Sequence, residues 1–222
     1  MLLEFFHDPL CAWCYVMSPQ VRRLAEHFPE LQVEQRGFPL APDPAAIEKI
    51  FGDKSTGKLE ILSHWRAAND HDEQRRMRPE LMAEQSFDYP WSIPPLIACE
   101  VARQIGGEAA YWDYFDAIQA LHLTECRNIV DPVVLGDCAE QIGLDRQQLL
   151  TKMEDESNLK ALQADMARAH SFGLRGVPAL VLEGQMVAQG ALKWQQLLEN
   201  VTLALSQIGD QAAAKTDDSD SE

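Results

Sequence analysis

Residues 2–6 are short and mostly apolar, with two phenylalanines, the pattern of a buried strand. His7-Asp8-Pro9 is turn chemistry, because a proline biases the residue before it away from helical angles. From about Ala12 to Phe28 the side chains Trp13, Val16, Val21, Leu24 and Phe28 recur at core-facing helical spacing. Pro19 lies inside that pattern and is expected to kink it by removing a backbone donor. Leu31–Phe38 then alternates in the manner of a second strand. Strand, helix, strand at this length is a βαβ unit, which predicts parallel strands.

Between about Pro39 and Asp155 the strand signal is lost. Apolar periodicity predicts helices near 44–51, 57–70, 94–105, 109–122, 132–142 and 145–154, with Gly106-Gly107 and Gly143 as stops. The stretch from Asp72 to Ile93, which holds Pro79 and Pro90, reads as partly irregular. A helix near 157–172 ends at Gly173. β chemistry then returns. Gly176–Leu182 is a loop entering an apolar strand, Glu183-Gly184 a hairpin turn, Gln185–Gln189 a second strand, and Ala191–Leu205 a last amphipathic helix. The expected organisation is one sheet built from both ends, 1–40 with 156–208, and an inserted helical domain over 41–155. The Ala-, Ser- and Asp-rich stretch 209–222 reads as a disordered acidic tail, too polar to repay its ordering entropy.

The chain of 222 residues is 46% hydrophobic and carries a formal charge of -16. Such a balance argues against nucleic acid, whose phosphates need clustered Lys and Arg, and against an anionic membrane surface. Arg75, Arg76 and Arg78 form the one dense basic run and read as a solvated face. At the N-terminus Glu4 interrupts the apolar run, Pro9 follows closely and a basic flank is lacking, so no secretory signal is expected. No apolar stretch approaches the roughly 18 residues of a membrane span. The expected compartment is the cytoplasm, where a close cysteine pair is catalytic or metal-binding more often than structural.

That pair is Cys11-Ala12-Trp13-Cys14, at the junction of the first strand and helix. A helix N-terminus offers unpaired N–H groups and the positive end of the helix dipole, which favour a thiolate. Cys14 falls one turn on, placed to attack a mixed disulfide formed on Cys11. Cys11 is thereby the expected nucleophile and Cys14 the resolving thiol. Zinc is the competing reading, but a structural site needs four ligands and there is no second close pair, so no metal is expected. Two inert core cysteines fit poorly with a junction that faces solvent in βαβ units. Val177-Pro178, opening a strand, is either a cis peptide or an ordinary trans proline. Facing the dithiol, a cis proline would leave the Val177 backbone free to pair with an extended substrate. His7 is a proton-relay candidate or a plain turn residue; Arg175 favours the thiolate or simply pairs on the surface. Cys99 falls in a core pattern, while Cys126 and Cys138 read as helix residues with a second redox role open to them. Trp13, Tyr89, Trp91, Trp112 and Tyr114 either line a cleft or pack.

Asp8-Pro9-Leu10-Cys11-Ala12-Trp13-Cys14-Tyr15 with Ser18-Pro19 resembles the active-site segment of the DsbA-like thioredoxin superfamily, closest to its cytoplasmic FrnE-type branch. Asp131–Leu135 with Ala139 and Gly143-Leu144-Asp145 is similar to that family's helical insertion, and Phe172–Ala179 to its proline loop. The resemblance implies an α/β thioredoxin-like fold, β-α-β … β-β-α, with a large all-helical insertion, a redox-active C-x-x-C and a cis proline. Two departures matter. Ala12 stands where relatives commonly carry proline, and neither central residue is the histidine of the strongly oxidising members. A potential less oxidising than that of the periplasmic enzymes is therefore expected.

The function expected is thiol–disulfide exchange on protein or small-molecule disulfides, without a bound cofactor and with glutathione as a candidate redox partner. The same architecture hosts glutathione-dependent isomerases and transferases, but these typically present serine at the first active-site position. Some cytosolic relatives act instead as adaptors that deliver a regulator to a protease.

Overall fold

The computed structural model describes residues 1–219, with side chains to Gln211. In chain order the elements are β1 (Leu2–His7), α1 (Ala12–His27), β2 (Gln32–Gly37), α2 (Ala46–Phe51), α3 (Lys54–Asn69), α4 (Pro79–Glu84), α5 (Ile93–Leu123), α6 (Pro132–Gln141), α7 (Arg146–Lys152), α8 (Ser157–Ser171), β3 (Ala179–Leu182), β4 (Gln185–Gln189) and α9 (Trp194–Ser219). Both chain ends contribute to a single sheet of order β2-β1-β3-β4. β1 and β2 are parallel, from Leu2 opposite Gln32 to His7 opposite Gly37, as the βαβ reading requires. β3 returns antiparallel to β1, with Phe6 opposite Ala179, and β4 pairs antiparallel to β3.

The two faces of the sheet follow from the period-2 alternation of a strand. Leu3, Phe5, Leu180 and Leu182 point into the large core shared with α1 and the inserted helices. Phe6, Ala179 and Val181 point the other way, into a small core closed by Ala169 and Leu174. Glu4, buried on that second side of β1, is held by Arg36 and Arg168, so its charge is not left unpaired.

Four expectations change. α5 continues across Gly106-Gly107, where a stop is expected; only Gly107, at φ 77, leaves helical angles, and glycine reaches that region without a Cβ penalty. The stretch expected to be irregular holds α4, whose Pro79 occupies the first helical turn, where a missing N–H costs nothing. α9 runs past Leu205 and through Gly209 to Ser219 rather than giving way to a disordered tail at 209; Gln211-Ala212-Ala213-Ala214-Lys215 is a run of strong helix formers. Residues 220–222 of that expected tail lie outside the described residues. Cys126 sits in a loop at φ 58, not in a helix.

α1 runs through Pro19, and the chain compensates for the donor it lacks. The carbonyl of Tyr15, one turn earlier, accepts from Arg76 Nη2 at 3.2 Å. The Arg76 guanidinium also lies 4.0 Å over the Tyr15 ring and pairs with buried Asp72. Arg76 is thus an anchor between the insertion and α1, whereas Arg75 and Arg78 are exposed as expected.

Candidate active site

β1 delivers its last residue into a short turn, and Cys11 caps the helix that follows. Cys11 has extended angles, φ -82 and ψ 108, and its Sγ accepts the backbone N–H of Cys14 at 3.2 Å. Its own N–H donates to Asp8 O at 2.9 Å, and its carbonyl accepts from Cys14 N at 3.0 Å. Sulfur thus takes the place usually filled by the oxygen of a serine or aspartate cap. Gln119, buried on α5, clamps the same turn by donating through Nε2 to Cys11 O at 3.1 Å and to Asp8 O at 3.4 Å.

Cys11 is only 4% exposed and Cys14 is fully buried, so the junction is more enclosed than expected. The helical insertion covers what would face solvent in a bare βαβ unit. Cys11 instead forms part of the floor of a pocket of about 290 Å³. Both thiols are free. Burial pushes the Cys14 thiol well above its ordinary value, and the neighbouring Cys11 adds to the effect.

The Val177-Pro178 peptide is cis, as the resemblance implies. The Cys11 thiol donates to Val177 O at 3.6 Å, so the proline loop and the dithiol meet directly. Val177 and Trp13 both line the pocket. Trp65, Tyr89 and Ile47 of the insertion form the facing wall. Trp65 Nε1 donates to the Tyr89 hydroxyl at 3.1 Å, which leaves that hydroxyl to donate to His122 Nε2 at 3.0 Å. Burial holds the pKa of His122 down to about 3, so its ring is neutral and able to accept.

Asp8 is a site residue that the sequence reading takes for a turn residue. Its carboxylate is fully buried; Oδ1 accepts from Leu10 N, while Oδ2 accepts from Leu40 N and Ser92 Oγ, both at 2.6 Å. It therefore ties the turn to the segment after β2 and to the start of α5. Burial outweighs those bonds and raises its pKa from 3.8 to about 6. No local spacing announces this, since two of the three donors lie 32 and 84 residues away in sequence.

The remaining candidates scatter. His7 is the last residue of β1 rather than part of a turn, and its ring packs 3.8 Å from that of Phe115. Both its nitrogens lack partners among the described residues; burial and the Arg103 charge push its pKa well below the usual value, leaving it neutral in the core. It does not line the pocket. Arg175 is exposed and makes no ion pair among the described residues. Cys99 and Cys138 are core residues, and Cys126 donates to Arg78 O at 3.2 Å. Tyr114 and Trp112 pack and hydrogen-bond to Leu135 O and Ser18 Oγ, and Trp91 is a part-buried packing residue. Among the described residues no cluster of three or more His, Cys, Asp or Glu is placed to hold a metal, and no helix is long and apolar enough to cross a membrane.

The fold recurs in solved structures. A Nitrosomonas europaea protein with a provisional disulfide-isomerase assignment superposes with a TM-score of 0.78 over 93% of this chain and 98% of its own, at 20% identity. The cytosolic disulfide reductase DsbM of Pseudomonas aeruginosa superposes with a TM-score of 0.70 over 94% and 98%, also at 20% identity, and has been solved with GSH as well. In sequence, the ClpXP adapter protein SpxH of Bacillus subtilis is 25% identical over 183 residues, which is 80% of this chain. That match spans 56% of SpxH, little more than half of the relative's length. Residues 96–202 match the profile of the DSBA-like thioredoxin domain. Fold, profile and the C-x-x-C spacing agree: the chain has a DsbA-like thioredoxin fold with a helical insertion, and its residues 96–202 are similar to the DSBA-like thioredoxin domain.

Proposed function

We propose that this protein is a cytoplasmic thiol–disulfide oxidoreductase of the FrnE-type branch, with Cys11 as nucleophile and Cys14 as resolving thiol. The observation that carries the reading is the unequal placement of the two sulfurs. Cys11 faces a pocket and receives an N–H from Cys14, while Cys14 lies fully covered behind it and is kept protonated by burial. A sulfur that gains negative charge during exchange finds a donor already aimed at it.

In the reductive direction the Cys11 thiolate attacks one sulfur of a substrate disulfide. The other sulfur departs with the electron pair of the broken S–S bond and takes a proton from solvent. Cys14 then gives up its proton and attacks Cys11 Sγ, which releases the second substrate thiol and leaves a Cys11–Cys14 disulfide. The reverse sequence oxidises a dithiol. The chemistry calls for no metal or bound cofactor. Protein thiols and disulfides are the proposed substrates, and the GSH complex of DsbM supports glutathione as a redox partner that recycles the dithiol. Trp13, Val177 and Pro178 are the proposed supporting residues, because they frame the attacking sulfur.

Cys14→Ser should accumulate mixed disulfides through Cys11, seen on non-reducing gels and released by dithiothreitol. If that variant captures no thiol or disulfide partner, the reading is wrong. SpxH supports a second reading, in which the chain is an adaptor; a Cys11→Ser/Cys14→Ser protein that retained its whole cellular role would favour it.

A further inference from the structure

Exchange at Cys11 sends a sulfur away with an electron pair, and the pocket beside Cys11 is a poor place for a new anion. Leu10, Ile47, Phe51 and Ile61 line it, and no lysine or arginine does. An alkyl thiolate forming there loses hydration without meeting a cation, and a proton delivered to the sulfur removes that penalty.

One helix of the insertion places a proton donor at this point. Ile61, His64 and Trp65 fall at i, i+3 and i+4 on α3, hence on one face, and all three line the pocket whose floor holds Cys11. The same face is seated on the active-site helix: His71, just past the end of α3, has its ring centroid 5.1 Å from that of Trp13, which stands between the two cysteines. Of the lining residues, His64 is the one whose side chain ordinarily titrates near neutral pH. The Tyr89 hydroxyl reaches the pocket too, but it donates to His122 Nε2, and burial holds its pKa well above the ordinary value. The Trp65 indole N–H is engaged by Tyr89. His64 is exposed and its ring makes no hydrogen bond or ion pair among the described residues, so it is free to exchange protons with water.

The charged groups around His64 are few. Cys11 faces it from the start of α1 and Tyr89 from the segment before α5, while α2 turns Ile47, Ile50 and Phe51 to the pocket. Lys49 of α2 pairs with Asp43, and Glu80 of α4 with Arg66 of α3. On α3 itself Glu60 lies one turn before His64.

We propose that His64 is a catalytic acid, its imidazolium protonating the sulfur that leaves when the Cys11 thiolate attacks a disulfide. The bond between Cys11 Sγ and one substrate sulfur forms as the substrate S–S bond breaks. The leaving sulfur keeps the electron pair of that bond and takes the imidazolium proton, and neutral His64 recovers a proton from water. In the oxidative direction His64 accepts the proton of the attacking thiol. The proposal rests on the dithiol reading above and adds to it the group that carries the proton. The insertion thereby supplies the histidine that Ala12 and Trp13 do not.

The test compares reduced full-length wild type with His64→Gln in single turnover on two uncharged disulfides. Bis(hydroxyethyl) disulfide releases a strongly basic alkyl thiolate, whereas dithiodipyridine releases thiopyridone, which departs without a proton on sulfur. His64→Gln should slow the alkyl disulfide by about tenfold or more at pH 6 and the aryl one by less than about twofold. The deficit on the alkyl disulfide should shrink from pH 6 to pH 9, because imidazolium is present below the imidazole pKa and lost above it. Equal slowing of both disulfides, no slowing of either, or a deficit that does not change with pH would overturn the role of His64 and leave the dithiol reading standing. If wild type reacted with neither disulfide, the dithiol reading would fail, and this proposal with it.

Discussion

Among single residues, Asp8 has the least ordinary chemistry for its position. Three donors hold a carboxyl that burial nevertheless raises from 3.8 to about 6. Between those two pH values the unfolded chain has released its proton and the folded chain keeps it. The folded state therefore binds more protons, and stability falls as pH rises through that window, with no further change above about 6. Asn at this position is nearly isosteric and does not titrate. From pH 4 to pH 7 the stability of wild type should drop relative to Asp8→Asn by an amount on the order of 2–3 kcal/mol. Urea unfolding of both proteins at the two pH values reads that difference. A constant gap between them would show that Asp8 titrates in the folded protein much as it does in the unfolded chain.

At the scale of elements, the site is an agreement between the N-terminus of α1 and the C-terminal part of α5, made through Gln119. Its Nε2 satisfies two buried carbonyls of the active-site turn. Gln119→Met keeps the volume and removes the donor, so it should cost about 1–2 kcal/mol in urea unfolding, the penalty of leaving buried acceptors less satisfied. The same variant should slow capture of substrates by Cys11, whose carbonyl it frees. Unchanged stability and unchanged capture would mean that the clamp is idle. α1 itself is legible from sequence because its signals are local: a strand, a turn and apolar spacing within Trp13–Phe28. α5 is less so. Gly106-Gly107 reads as a stop, yet a single glycine at positive φ lets the helix resume in a new direction, and sequence spacing does not distinguish the two. α4 is missed for a similar reason, since Pro79 reads as a breaker when it is a helix start. His7 reads as a turn because Pro9 follows, whereas pairing with Gly37 on β2 extends β1 to include it.

For the whole molecule, the order β-α-β, helices, α, β-β-α is enough to assemble one sheet from the two ends of the chain, because buried strands announce themselves by apolar runs. The Cys11–Cys14 pair is legible for the same local reason. What the insertion does to that pair is not. Trp65, Tyr89 and Ile47 reach Cys11 across a connection that only tertiary packing reveals, and they turn a junction expected to face solvent into the floor of a pocket. The enclosure sorts the thiols of the chain into one that meets the pocket and four, at Cys14, Cys99, Cys126 and Cys138, whose pKa values burial pushes up. Competitive alkylation of the folded, reduced protein at pH 7, with the five cysteines resolved by peptide mass spectrometry, measures that sorting directly. Cys11 should be modified well ahead of the other four and faster than a free small-molecule thiol in the same tube. Should Cys11 react no faster than that free thiol, or no sooner than Cys14, the sulfur assigned as nucleophile does not have the reactivity its role requires.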